Sequence, residues 1–396
     1  MILLTHAHLD HSGYIPRLVK QGFKGDILCT PATRDLCEIL LPDSGYLQEE
    51  EAGYANKKGY SKHHPALPLY NVEDAKNCLK QFKTTDFRKK NSLPSYLSAE
   101  FLPAGHILGA SMIRLSNGKR TIGFTGDLGR PNDPIMKAPS HFGEIDELVM
   151  ESTYGDRKHE RIDPLEQIEQ IVNRTLKRKG ILLIPAFAVG RAQTLMYLLS
   201  VLRSQKRIPE VPTYLNSPMA CDVTEIFSKE HESLKLSREE CQQMCSVAQY
   251  VNSVEESKLL NQRSGPMIII SASGMATGGR VLHHLKAFLP DEKNTVLFTG
   301  FQAAGTRGEA LVHGKKEIKI HGQYWPVRAE VLNLHNLSAH SDYEESISWL
   351  GDFQKRPQRI FITHGEIESA RSLKEKIEKK FHWSCIIPKY LDQFDL

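Results

Sequence analysis

The chain has 396 residues, 40% hydrophobic and 25% charged, with 51 basic against 47 acidic side chains and a formal charge of +4. This length favours two domains, and the composition excludes disordered, collagen-like and fibrous classes. The near-balanced charge neither demands nor excludes a polyanionic partner, so any basic groove must be local.

Taken in chain order, the first element is the apolar run Ile2–Leu4, expected to be a buried strand and far too short for a signal peptide. It leads into Thr5-His6-Ala7-His8-Leu9-Asp10-His11, four potential metal ligands in one short loop. His6 and His8, two apart, project to the same side of an extended chain. Neutral imidazoles and a carboxylate are donors that zinc prefers, and one tetrahedral ion cannot comfortably take all four from so short a loop. Division between two ions, His6/His8 and Asp10/His11, relieves that geometry and suggests a dinuclear centre. Further on, Pro103-Ala104-Gly105-His106-Ile107-Leu108-Gly109-Ala110 sets a histidine between glycines, where backbone approaches closely. The strand expected over Ile122–Phe124 opens into Thr125-Gly126-Asp127-Leu128-Gly129, with a carboxylate at its mouth. Alone, His106 reads as a satisfied polar residue and Asp127 as a turn former; beside the first motif both read as ligands.

More short apolar runs follow: Leu148–Met150, Ile181–Ile184, Met267–Ile270, Thr295–Phe298 and Ile360–Ile362. Between them, Pro164–Lys177 carries Leu165, Ile168, Ile171, Val172 and Leu176 on one helical face, and Ala192–Arg203 is a second amphipathic helix. Such alternation predicts an α/β protein with helices covering its sheets. Lys177-Arg178-Lys179 reads as a solvated helix end, its cations near the negative pole of the dipole. His63-His64 and His283-His284 have no partner carboxylates and read as solvated or packing histidines. No apolar run approaches the roughly eighteen residues of a membrane span. Seven scattered cysteines without a Cys-x-x-Cys pair fit reduced thiols, so a cytoplasmic protein is expected.

The histidine motif, His106 and Asp127 resemble, in order, the metal-binding motifs of the metallo-β-lactamase fold. Three later segments, Val149-Met150-Glu151-Ser152-Thr153-Tyr154-Gly155-Asp156, Asn336-Leu337-Ser338-Ala339-His340-Ser341-Asp342 and Ile360-Phe361-Ile362-Thr363-His364-Gly365-Glu366, resemble motifs A, B and C of the β-CASP nucleases. So do Ile184-Pro185-Ala186-Phe187-Ala188-Val189-Gly190-Arg191, Asn216-Ser217-Pro218-Met219-Ala220 and Ser271-Ala272-Ser273-Gly274-Met275. The resemblance implies a metallo-β-lactamase αββα sandwich at 1–155 and 338–396, with an α/β β-CASP domain inserted at 156–337. It implies two zinc ions, one held by His6, His8 and His106 and the other by Asp10, His11 and His364, with Asp127 bridging. His340 would be the general acid, oriented by Glu151, and Asp10 also belongs to the implied catalytic group.

The implied reaction is exo- or endonucleolytic hydrolysis of single-stranded RNA, leaving a 5′-phosphate and a 3′-hydroxyl. Members that act on RNA typically have histidine at motif C, as His364 is here, and the chain is similar to the bacterial RNA-processing exonuclease group. In the inserted domain, Arg191, Ser217, Ser273 and Arg280 follow strands at helix starts and are candidates to hold phosphate, against the plainer reading as caps and loop residues. The family has several strands and an acidic motif ahead of the histidine motif, which here follows only five residues; either those strands lie upstream of the given start, which is the expectation, or the polypeptide is a genuine truncation. The alternative function is an inactive RNA-binding scaffold, although inactive members typically lose ligands that are all present here. No membrane partner is expected, and a homodimer is left open.

Overall fold

The computed structural model describes residues 1–59, 61–230 and 234–395. They gather into two compact units, Met1–Lys158 with His340–Leu396, and His159–Ala339. The apolar runs singled out in the sequence are strands, lengthened or trimmed by a residue.

The first unit begins with β1 (Ile2–Leu3), β2 (Ile27–Cys29), β3 (Phe82–Thr84), β4 (Lys90–Ser92), β5 (Ser98–Pro103), β6 (Ser111–Ser116), β7 (Thr121–Phe124) and β8 (Glu147–Met150). The second unit contributes β9 (Ile181–Pro185), β10 (Thr213–Leu215), β11 (Gln249–Tyr250), β12 (Met267–Ser271), β13 (Thr295–Thr299), β14 (Glu317–Ile320), β15 (Gln323–Pro326) and β16 (Glu330–Leu334). The chain then returns to the first unit with β17 (Arg359–Ile362) and β18 (Cys385–Ile386).

Within the first unit, β1-β2-β3 form a parallel sheet and β18-β17-β8-β7-β6-β5-β4 a mixed one. Leu3 and Leu28 of the small sheet pack with Ala99, Phe101, Ile113, Leu115 and Phe124 of the large one, so the two sheets bury their apolar faces against each other. Helices flank this core. Pro31–Lys58, capped by Thr30 with proline in its first turn, packs on β3 and on the helix Val72–Leu79. Ile367–Phe381 packs on β18 and on the helix Tyr343–Gly351. The result is the αββα sandwich that the sequence motifs imply. Strands β7, β8 and β17 run parallel and adjacent, so their carboxyl ends open at one edge of the sheet.

The second unit is built on a six-stranded, fully parallel sheet in the order β11-β10-β12-β9-β13-β16. Every residue of β9, β12 and β13 is buried, as strands covered on both faces require, and this is why they read as continuous apolar runs. The helix Pro164–Lys177 begins at an Asp163 cap and buries Ile168, Ile171, Val172 and Leu176. Arg178 departs from the solvated helix end expected of it. Its guanidinium donates to Thr295 Oγ1 at 2.8 Å and Glu330 Oε2 at 2.9 Å, tying that end to β13 and β16. His284 is fully buried, with ring nitrogens 2.6 Å from Asn216 Nδ2 and 2.6 Å from Asn261 Oδ1, a packing role; His63 and His64 are exposed.

Ile269→Ala, at a fully buried site in the middle of β12, is expected to cost about 2–5 kcal/mol of stability. Tyr390→Ser, at a position 93% exposed, is expected to change stability by less than about 0.5 kcal/mol. Urea denaturation of the full chain reads both, and equal costs would contradict the assignment of this core.

Candidate metal centre

Leu4 is the last residue held by the small sheet, its N–H donating to Leu28 O at 2.9 Å. The chain then leaves the sheet edge with His6 and His8 still extended, and the one-turn helix Leu9–Ser12 carries Asp10 and His11. Thr5 O accepts from both Ser111 N (2.9 Å) and Ser111 Oγ (2.8 Å), fastening this loop to the start of β6 in the other sheet. Ser12 Oγ donates to Ala7 O at 2.9 Å and closes the turn. The His106 loop is pinned similarly, with Thr30 Oγ1 and Thr33 Oγ1 donating to Gly109 O at 2.7 and 3.0 Å. Asp127 follows β7, Glu151 follows β8 and His364 follows β17, three side chains delivered by adjacent parallel strands.

Asp127 stands at the middle. Its Oδ2 lies 3.3 Å from His6 Nε2 and 3.4 Å from His106 Nε2. Its Oδ1 lies 3.2 Å from His11 Nε2 and 3.3 Å from His364 Nδ1. His8 Nδ1 is 3.1 Å from His106 Nε2, and His364 Nε2 is 3.1 Å from His11 Nε2 and 3.3 Å from Asp10 Oδ2. Two donor groups result, His6/His8/His106/Asp127 and Asp10/His11/His364, each with its ligand atoms within 4.8 Å of one another. The first is almost wholly buried; the second is partly open, with the Asp10 side chain 63% exposed.

Electrostatics fits the same division. Burial, reinforced by neighbouring imidazoles, pushes His8 down to about 3, and burial also lowers His6 and His106. These rings are therefore neutral, the form that binds a metal. Burial alone would raise Asp127, but the imidazoles of His11, His6 and His106 gathered around it hold it well below the usual carboxylate range. The His364 hydrogen bond lowers Asp10 to about 2, and Asp10 in turn raises His364 to about 9. His6 Nε2 and Asp127 Oδ1 are buried without a hydrogen bond of proper geometry. Converging donor atoms, some of them buried without a hydrogen-bond partner, suit divalent cations, and a shared Asp127 suits two of them.

Beside these groups, His340 Nδ1 lies 3.0 and 3.1 Å from the two oxygens of Glu151. Glu151 is itself held, accepting from Leu128 N at 2.6 Å and Thr153 N at 3.2 Å. Leu128 O accepts from Ser341 N at 2.8 Å, so one residue after Asp127 positions both members of the pair. Burial would lower the His340 pKa, but the charge and hydrogen bond of Glu151 raise it. The ring stands 4.5 Å from that of His106, centroid to centroid.

The structure thus brings His6, His8, Asp10, His11, His106, Asp127, Glu151, His340 and His364 together. Several participants escape sequence reasoning. Thr5 Oγ1 lies 3.1 Å from His6 Nδ1 and orients that imidazole from behind, and Thr153 Oγ1 lies 3.3 Å from His364 Nδ1. Thr153 sits inside motif A, a signal available beforehand; Ser111, Thr30 and Thr33 had none.

The remaining four candidates lie in the second unit, beyond the carboxyl ends of the neighbouring strands β9, β10 and β12. Arg191 opens the helix Arg191–Ser204 after Gly190, whose φ of 79° suits glycine. Ser217 caps the helix Pro218–Lys229 by accepting from Ala220 N at 3.2 Å. Ser273 Oγ lies 3.0 Å from Thr277 Oγ1. Arg280 donates to Asn216 Oδ1 (2.9 Å), Val251 O (2.9 Å) and Asn252 O (2.6 Å).

Without a bound cation the lowered histidines impose an acid limit. Their imidazoles stay neutral in the folded chain but protonate below about pH 6.5 once unfolded. The unfolded state then binds more protons, and stability falls with pH by about 1 kcal/mol per pH unit for each such ring. Urea midpoints of chelator-treated chain should therefore drop between about pH 6.5 and about pH 5, and a midpoint independent of pH there would contradict this electrostatic reading.

Comparison with known proteins agrees with this geometry. Residues 192–311 match the Beta-Casp domain, and residues 324–388 match the Zn-dependent metallo-hydrolase RNA specificity domain. Ribonuclease TTHA0252 of Thermus thermophilus is 34% identical over 380 residues, covering 94% of this chain and 82% of that protein. The transcription termination factor FttA of Thermococcus kodakarensis is 35% identical over 416 residues, and that of Methanocaldococcus jannaschii 31% over 409. The chain spans 62% of the length of each of these two archaeal factors. A crystal structure of a protein of unknown function from Enterococcus faecalis V583 superposes with a TM-score of 0.54 at 14% identity, over 98% of this chain and 79% of that one, a likeness of fold alone. By its extended identity to the Thermus protein, its two matched domains and the ordered donor set on its sandwich, the chain belongs to the metallo-β-lactamase-fold β-CASP family of RNA-processing nucleases.

Proposed function

We propose that this chain is a zinc-dependent ribonuclease that hydrolyses phosphodiester bonds of single-stranded RNA. The observation that carries the reading is the sharing of Asp127 between two imidazole-rich donor groups, with the His340–Glu151 pair beside them. The ribonuclease and termination-factor relatives supply the nucleic-acid context.

In this reading His6, His8 and His106 would hold one ion, Asp10, His11 and His364 would hold the other, and Asp127 would be shared between them. The predominance of imidazole favours zinc over magnesium or calcium, which prefer all-oxygen sets. Two such ions, when bound, would supply Lewis acidity at the phosphoryl oxygens and a nucleophilic water at neutral pH. The protein's own residues do the rest. Glu151, fixed by Leu128 N and Thr153 N, holds the Nδ1–H of His340 and favours the imidazolium. Nε2 then carries the transferable proton, which goes to the departing 3′ oxygen as the bond to phosphorus breaks. The products are a 5′-phosphate and a 3′-hydroxyl. Arg191, Ser217, Ser273 and Arg280 are proposed to steady flanking phosphates.

His340→Ala should lower the rate of hydrolysis of 5′-labelled single-stranded RNA by about 10²–10⁴-fold while metal content by elemental analysis stays at two ions per chain. Full metal loading with RNA binding but no cleavage by the unsubstituted chain would replace this reading with that of a scaffold.

A second expectation concerns protons. The metal-free His364, raised to about 9, is charged at neutral pH and must lose its proton to ligate. Zinc uptake near pH 7.5 should therefore release about one proton from this residue, more weakly as pH rises through about 9. Titration calorimetry in two buffers of different ionisation enthalpy measures it, and His364→Ala should remove that proton from the total.

A further inference from the structure

The end of the β14–β15 hairpin, which the mechanism does not use, gathers cations and flat rings. Its two-residue turn, His321-Gly322, has φ of 50° and 85°, the paired positive values of a type I′ turn, and Gly322 meets the second without strain. The turn holds the exposed His321 ring 4.9 Å from that of His283, on the helix Val281–Phe288. Lys286, one turn along that helix, sets its ammonium 5.9 Å from the centroid of the Trp325 ring. Lys319 sits 5.8 Å over the ring of Tyr324, its partner across the hairpin. Tyr324 is 68% exposed.

The charge here is of one sign. Neither Lys286 nor Lys319 is in an ion pair among the described residues. Arg307 donates to the carbonyls of Lys319, Ala276 and Thr277 and is in no ion pair among the described residues. Burial and then Lys286 push His283 down, and burial, Lys286 and Arg307 push His321 down. Both rings are thus neutral planes in a positive field. Glu317, at the far end of β14, is the hairpin's one acidic side chain.

Cations alone would suit any polyanion. Cations alternating with exposed ring faces suit one whose charges alternate with flat groups, since bases stack on aromatic planes while lysines meet phosphates. An acidic peptide would leave those planes unused. We propose that this hairpin end, with Lys319 and Tyr324 on its outer face and His321 and Lys286 on the side of the helix Val281–Phe288, is a second contact for single-stranded RNA that passes around it, built from residues of the His159–Ala339 unit alone. The proposal rests on the reading of RNA as substrate.

The test uses the full, metal-loaded chain and a labelled oligouridylate of about 30 nucleotides. Combined Lys286→Ala, Lys319→Ala and Tyr324→Ala substitutions should raise KM for its cleavage by about 5- to 30-fold and leave kcat within about twofold. In a His340→Ala background, the affinity measured by fluorescence anisotropy should fall by the same factor. The slope of log affinity against log salt should shrink by about 1.4, for two lost phosphate contacts. Tyr324→Phe, which keeps the stacking plane, should retain the affinity. Unchanged KM and salt slope in the triple variant, or a fall in kcat alone, overturns the proposal. So does poly-glutamate binding that needs these side chains while RNA affinity does not. If the unsubstituted chain neither binds nor cleaves the oligonucleotide, the ribonuclease reading and this contact fall together, an outcome distinct from the others.

Discussion

The structure of the first unit depends on one buried charge. Asp127 is 2% exposed and lies within 3.4 Å of four imidazole nitrogens, yet burial works against charging two of those rings, His6 and His106. A carboxylate kept ionised in such a place needs positive charge nearby, because an uncompensated buried ion costs several kcal/mol. His364, raised to about 9, can supply part of it in the metal-free chain, and a cation between the donor groups supplies more. The site therefore has a built-in affinity for positive charge, and proton and metal compete for it.

Holding that carboxylate requires backbone to pass very close to backbone. An ideal Cβ on Gly129 would stand 2.0 Å from Gly105 O and 2.6 Å from His106 N, so only glycine lets the Asp127 and His106 loops meet. Gly129 N also donates to Ala104 O at 2.8 Å across this junction. The close approach sets the separation of His106 from Asp127, much as the Thr5–Ser111 bonds set that of the histidine motif from the large sheet. Precision at the centre comes from these backbone junctions between loops, each anchored in a strand whose register is fixed by burial.

How much of this is legible in the sequence follows from where the information lies. Candidate metal donors are chemically distinctive and locally dense, so His6 to His11 stand out, His106 and Asp127 are read beside them, and His364 is added by resemblance. Strands buried on both faces, such as β9 and β12, are continuous apolar runs and stand out. β4 does not: Lys90-Asn91-Ser92 is a polar segment that becomes a strand only because β5 offers it an edge. The same holds for Glu147, 1% exposed, whose two oxygens take both arms of Arg359 on the neighbouring strand. Their separation in sequence hides a pairing that the β8–β17 register makes obligatory. Arg178 shows the opposite error, since a basic helix end reads as solvated until β13 and β16 are seen to bring Thr295 and Glu330 to it.

Arg280 shows how far a motif residue can be divided between roles. A guanidinium has five N–H donors, and here three bonds go to Asn216, Val251 and Asn252, which fix the start of the helix Val281–Phe288 against the loops after β10 and β11. Asn216 in turn meets the buried His284, so the arginine belongs to a polar network inside the unit. Two N–H groups remain, one on Nε and one on Nη2, enough to meet a single phosphate. Arg280 therefore differs in kind from a lysine on an open surface. Its removal would disturb the fold of the second unit before it disturbed any ligand, so its contribution to phosphate binding is separable only in a variant that keeps the three internal bonds.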